Sequence, residues 1–321
     1  MNPIKSEADL DRMRRTTQAH MMISAWSSAG LFEALSDGEM RPLSSLPGNS
    51  RALHIGATIL GHVGLLQTDG VLWGLSPIGV ELFAEGALSM SPHEPFCQDL
   101  GVLPEVLKSG GTIQDTDIGV VEEEPERVRG FMKYLYRRSE IPAAHAAQWM
   151  AQWLAPGQRV LDLGGGHGRY AAAFSEVGLE ATLFDKKVCV EIAAELCDAP
   201  IQVRSGDFHA DDLGGPYDAV FLSNIVHGLG ADEIADLLDR IGDVLAPGGR
   251  VVVKDFFAQG NGLQPEGAVM FGMVMLMFTK NGRTYTVAEM QDMLALAGLA
   301  PDGVVESPEL GYELIVGRRL A

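Results

Sequence analysis

The stretch Val160-Leu-Asp-Leu-Gly-Gly-Gly-His-Gly168, with Asp185 closing the run Ala181-Thr-Leu-Phe-Asp185, decides the fold. Branched apolar residues around Asp162 read as a buried parallel strand, and the glycines behind it let the backbone turn sharply and approach a ligand closely. Asp185 lies 23 positions beyond Asp162, the placing of a carboxylate that accepts from both hydroxyls of a ribose. Together they point to a pocket for an adenosine-containing cofactor.

Glycine spacing narrows the choice. Gly164, Gly166 and Gly168 form GxGxG, and Arg169 stands where a dinucleotide fingerprint has its third glycine or alanine, which disfavours a pyrophosphate loop. The pattern resembles motif I of the class I S-adenosylmethionine-dependent methyltransferases. That resemblance implies a loop, Asp162 included, that faces the methionyl end of S-adenosyl-L-methionine and of its product S-adenosyl-L-homocysteine.

Around this stretch, Arg159 to Leu163, Ala181 to Phe184, Ile201 to Arg204, Ala219 to Ser223 and Arg250 to Val253 read as strands separated by helices. The clearest helix runs from Asp232 to Leu245, with Ile234, Leu237, Leu238, Ile241, Val244 and Leu245 on one face and Pro247-Gly248-Gly249 behind it. Alternating strands and helices predict an α/β fold, a doubly wound, mostly parallel sheet whose ligand loops lie at the carboxyl ends of the strands.

The preceding chain reads differently. Apolar positions up to Gly30-Leu-Phe-Glu-Ala-Leu35 and from Ala52 to Leu66 have helical spacing, and Leu65 to Trp73 reads as two short strands about Asp69-Gly70. Helix, helix, hairpin is a winged-helix-like order, which raises DNA binding as a second class of function. No Lys/Arg cluster marks a recognition helix between 51 and 66, which counts against it. Residues 91–125, with Val121-Glu-Glu-Glu-Pro125, read as a solvated loop, and helical spacing returns from Arg127 to Leu154. Pro156-Gly157 sets the expected division: 1–154 a mainly helical winged-helix-like domain, for which the methyltransferase resemblance implies dimerisation and a substrate lid, and 155–321 a cofactor-binding Rossmann-like domain.

Composition fits a globular enzyme of 321 residues, 46% hydrophobic and 21% charged. A net charge of −19, from 43 acidic and 24 basic residues, disfavours nucleic acid and anionic membrane as partners. Cys97, Cys189 and Cys197 lack metal-ligand spacing and read as small core residues in a reducing cytoplasm. The longest apolar run, Ala268 to Phe278, is too short to span a bilayer, and no leader is expected.

Gly206-Asp207-Phe208 follows the third strand and Ser223-Asn-Ile-Val-His227 the fourth, places where a carboxylate meets an adenine amino group and an aromatic stacks on the ring. From the glycine loop to Gly298 the chain resembles the small-molecule O-methyltransferases of the caffeic-acid and acetylserotonin type and their bacterial natural-product relatives. The resemblance implies a homodimer through the N-terminal domain and a small-molecule acceptor. It makes His227, in Val226-His-Gly-Leu-Gly-Ala-Asp-Glu233, the general base and Asp255, in Val251-Val-Val-Lys-Asp255, its orienting partner. Gly164, Gly166, Gly168, Asp185, Lys186, Asp207, Phe208 and Asn224 then join Asp162 in holding the cofactor. Phe131 to Ser139 and the methionines of 270–277 line the family's pocket, so Tyr134, Met273 and Met277 are expected at the acceptor. Metal binding is not expected, and His167 reads as a second-layer or solvent-facing residue.

Three positions depart from the family pattern. Gly228-Leu229-Gly230 replaces Asp-Trp-Ser, Ser223 replaces a cofactor-contacting lysine, and Thr284 stands where a second orienting glutamate is often found. They keep carbon or nitrogen methylation open, and also cofactor binding without methyl transfer.

Overall fold

Seven strands in one mixed sheet carry the site in the computed structural model, which describes residues 3–83, 103–110, 125–307 and 310–320. Strands β3 (Arg159–Leu163), β4 (Glu180–Asp185), β5 (Gln202–Ser205), β6 (Tyr217–Ser223) and β7 (Leu245–Asp255) run parallel in the order 5-4-3-6-7. The order reverses between β3 and β6, which opens a crevice at their carboxyl ends. Two further strands, β8 (Leu299–Ser307) and β9 (Tyr312–Arg319), close the β7 edge antiparallel.

Side-chain alternation assigns the two faces of the sheet. Leu161, Leu163, Val220, Leu222, Val251 and Val253 pack with Ile234, Leu237 and Ile241 of helix α9 (Ala231–Val244) and with Met290 and Leu294 of α11 (Val287–Leu296). Val160, Phe221 and Val252 face the other way, onto α6 (Glu140–Met150) and α7 (Arg169–Glu176). By the same parity Lys254 falls on the α6/α7 side and Asp255 on the α9 side. Helix α5 (Pro125–Arg138) packs on α8 (Lys187–Leu196) through Val128, Met132, Cys189 and Ile192. Helix α10 (Glu266–Phe278) follows β7.

The chain divides into two compact units, Met1–Val102 and Leu103–Ala321. This division falls earlier than 154/155 because α6 buries Ala143, Ala146, Ala147 and Met150 in the core of the sheet. The first unit holds α1 (Glu7–Ser28), α2 (Ser50–His62), a hairpin of β1 (Leu66–Thr68) and β2 (Trp73–Leu75), and α3 (Pro77–Phe83). Asn49 caps α2, and Asp69 Oδ1 takes the N–H groups of Val71 and Leu72 to close the hairpin turn. The short α4 (Leu103–Ser109) opens the second unit. Cys189 is buried and Cys197 half-buried, as small core residues should be, whereas Cys97 and residues 121–124 lie outside the described residues. No described helix is long and apolar enough to cross a membrane.

Candidate functional site

The glycine loop leaves β3 with Gly164 and Gly166 at φ +69° and +49°, a region that L side chains rarely adopt. A Cβ on Gly164 would also stand 2.4 Å from Ile225 Cδ1, so the loop and the turn after β6 pack as one body. Asp185 closes the far side: its Oδ2 accepts from Gly166 N–H at 2.7 Å and its Oδ1 from Lys186 N–H at 2.6 Å. The Cys189 thiol also donates to this carboxylate.

Asp162 is fully buried beneath this loop, where Oδ2 accepts from Ala171 N–H at 3.0 Å and Oδ1 has no hydrogen-bond partner. Burial, with the charge of Asp185 adding to it, pushes its carboxyl up to about 7. Asp185 is raised as well, by burial against the opposing pull of its two N–H donors. A positive ligand set against the loop lowers the cost of ionising both groups. The loop therefore suits a charged sulfonium with an adenosyl arm better than a phosphate.

His167 is buried, not solvent-facing. Its Nδ1 accepts from Arg169 N–H at 3.1 Å, which puts the ring proton on Nε2 facing Ser139 Oγ at 3.2 Å. Burial first, then Lys254 and Arg169, push it down to about 4, so it stays neutral and serves the loop's geometry.

At the carboxyl ends of β6 and β7 the structure brings His227 and Asp255 together, 28 residues apart in sequence. His227 Nδ1 meets Asp255 Oδ1 at 2.6 Å, and His227 N–H reaches Oδ2 at 3.3 Å. Asp255 is 1% exposed; burial alone would raise its carboxyl, but the His227 charge and hydrogen bond, the Phe256 N–H and Lys254 together hold it below the usual range. A carboxylate held ionised on Nδ1 fixes the proton there and leaves Nε2 as the acceptor.

The other expected residues are spread around this pair. Asp207 is exposed and spends Oδ1 on His209 N–H at 2.8 Å in a local turn, while Phe208 is half-buried against the α9 side of the core. Lys186 is exposed. Tyr134 and Met273 are half-buried and Met277 is fully buried. Thr284 Oγ1 donates to Ala268 O at 2.9 Å, so it ties down α10.

Two contacts escaped sequence reasoning. Phe271 of α10 meets the His227 ring edge-on at 4.8 Å and 86°, backed by Phe256 at 5.0 Å. Lys254 is 4% exposed and donates to Asn224 Oδ1 at 3.1 Å. Its signal in the sequence was parity: a lysine two positions after the inward Val252 of a central strand must be buried.

The family model for the O-methyltransferase domain matches residues 116–300. The chain is similar to the 3-hydroxy-5-methyl-1-naphthoate 3-O-methyltransferase of Streptomyces sahachiroi, 32% identical over 183 residues, 55% of this chain and 52% of that one. It thus spans about half the length of that relative. Similarity to the L-tyrosine C(3)-methyltransferase of Streptomyces lavendulae is 26% over 263 residues, 77% and 68% of the two chains. In fold it matches human N-acetylserotonin methyltransferase in complex with SAM, with a TM-score of 0.83 at 18% identity over 100% of both chains.

Proposed function

The chain belongs to this O-methyltransferase domain family, and from that premise we propose that it moves a methyl group from S-adenosylmethionine to a hydroxyl of a small aromatic or polyketide-like metabolite. The observation that carries the reading is the 2.6 Å contact between His227 Nδ1 and the buried Asp255 carboxylate. A bound donor supplies a methyl already electrophilic on its sulfonium. What the protein must add is a nucleophile and alignment.

A phenol, with a pKa near roughly 10, is a poor nucleophile until its proton is taken. His227 receives that proton on Nε2 while Asp255 steadies the resulting imidazolium. Asp185 holds the ribose, Asp207 and Phe208 the adenine, and the backbone of Gly164 to Gly168 the methionyl portion, with Lys186 and Asn224 flanking them. Phe271 walls the base on one side, and Tyr134, Met273 and Met277 offer apolar surface to the acceptor. Collinear placement of oxygen, methyl carbon and sulfur supplies much of the rate through proximity. The N-terminal helical unit is read as a winged-helix-like module that pairs two chains, in a cytoplasmic homodimer.

A second reading, methylation at carbon, has a specific support in the similarity to the tyrosine C(3)-methyltransferase, which extends over more of the chain than the naphthoate enzyme's. Mass spectrometry and NMR of products from a panel of phenolic, polyketide and amine acceptors separates the readings by the atom that gains the methyl. On the acceptor found, His227→Ala should lower turnover by about two to four decades with donor binding kept. Undiminished turnover removes the base assignment.

A further inference from the structure

Lys254 is costly where it stands. Its ammonium lies among the rings of Tyr312, Phe256 and Tyr170, at 4.5, 5.7 and 5.8 Å, with a single hydrogen bond among the described residues, to Asn224 Oδ1. Burial pushes it down to about 8, against the attraction of Asp255. The cation–π contacts offset part of that cost, yet a methionine of similar length would fill the same aromatic cage with no charge to desolvate. Packing alone therefore does not account for a lysine here.

What the ammonium touches gives another account. Asn224 is the one non-glycine residue with positive φ, +58°, among the described residues, and it opens the turn that carries His227. That turn is gripped from both faces of the sheet by consecutive residues of β7. Lys254 holds its start, taking Asn224 N–H on its carbonyl at 2.9 Å and giving Nζ–H to Asn224 Oδ1. Asp255, on the opposite face, holds its end through the ring and backbone nitrogens of His227.

We propose that Lys254 is a positioning residue for His227: through the Asn224 side chain it pins the left-handed start of the turn, and so fixes where the imidazole at its end meets Asp255. The proposal rests on reading His227 as the base. A turn free at its start lets the ring drift, and a displacement of about 1 Å at a reacting group costs on the order of 100-fold in rate.

The test uses the full chain, with Lys254→Met and Asn224→Gly made singly and together. Glycine adopts the left-handed conformation unaided, so in the Asn224→Gly background the latch has nothing left to pin. Long-range proton–nitrogen spectra of the histidine rings, with His227 assigned by its loss in His227→Ala, give the primary readout. In Lys254→Met we expect the Nδ1-protonated pattern of His227 to collapse toward a tautomer mixture while the melting midpoint holds or rises. On the acceptor found by the panel, turnover should fall by about 10- to 100-fold with little change in KM. Adding Lys254→Met to Asn224→Gly should change neither spectrum nor turnover. An unchanged His227 pattern in Lys254→Met overturns the proposal, as does an equal effect in both backgrounds or a loss that tracks a lowered midpoint. Full turnover in His227→Ala with a perturbed Lys254→Met spectrum would instead sink the base assignment and leave the latch standing.

Discussion

Replacing Asp162 by asparagine should shift the stability of the ligand-free protein more favourably at pH 8 than at pH 5. The carboxyl titrates near 3.8 in an unfolded chain and near 7 in the fold, where burial disfavours its charge. Below 3.8 both states are protonated and the group contributes nothing. Between 3.8 and 7 the unfolded state releases the proton and the folded state keeps it, so stability falls as pH rises; above 7 both are ionised and the penalty is constant. At 1.36 kcal/mol per pKa unit the full penalty is roughly 4 kcal/mol, of which roughly 2 kcal/mol is present at pH 5. Asparagine keeps an oxygen for the Ala171 N–H and loses the titration. Whatever the amide itself adds or subtracts is the same at both pH values, and every other titrating group cancels between variant and parent except Asp185, whose coupling belongs to the measurement. The difference between the two pH values, roughly 2–3 kcal/mol, corresponds to about 5–10 °C in melting midpoint for a unit of this size. Thermal unfolding of both proteins at pH 5 and pH 8, freed of donor by exhaustive dialysis, measures it. An equal shift at the two pH values would refute the assignment of a raised pKa, and with it the argument that the loop is built to receive positive charge.

Two further substitutions probe the site from either side. Asp255→Asn keeps the shape of the dyad but offers an amide N–H to His227 Nδ1, which drives the ring proton to Nε2; turnover should fall by roughly two to four decades with the donor dissociation constant within a few-fold of the parent, as calorimetry will read. Gly165→Ala places a Cβ 2.3 Å from Leu183 Cδ1 and 2.4 Å from Asp162 Oδ2, both in the packed floor of the loop. We expect about 1–3 kcal/mol of destabilisation in urea unfolding and weakened donor binding, and a parent-like midpoint would show the floor to be softer than its geometry implies.

How much of this was legible depends on the kind of signal. Strands β3, β4, β6 and the Val251–Val253 part of β7 were readable because each is an apolar run ended by turn residues, and α9 because its apolar face recurs at helical spacing, whereas β5, Gln202-Val-Arg-Ser205, is mostly polar and was legible only from its place in the alternation of strands and helices. Strands β8 and β9 were not. Pro301-Asp302-Gly303 is built of turn-forming residues that interrupt any apolar alternation, and in the fold it is a bulge between Pro301 and Gly303 tolerated on an edge strand. His167 looked like a loop residue because glycines flank it, yet Ser139, on the chain between α5 and α6, covers its ring. That cover comes from 28 residues away, beyond the reach of any local pattern.

The same limit explains the site. Nothing in spacing says that His227 and Asp255 meet; the resemblance supplied the pair, and register supplied the contact. Ser223 pairs with Lys254 in the β6/β7 ladder, so one residue further along β7 points to the opposite face, beside the turn that carries His227. A slip of one residue in that register would send the Asp255 carboxylate into the α6/α7 core and the lysine toward the base, exchanging a proton-orienting anion for a cation. The long pairing of β7 with both β6 and β9 is what forbids the slip, since Val251, Val252 and Val253 would each trade cores at once. The chemistry at the end of β7 is thus fixed by three valines buried in the two cores of the sheet.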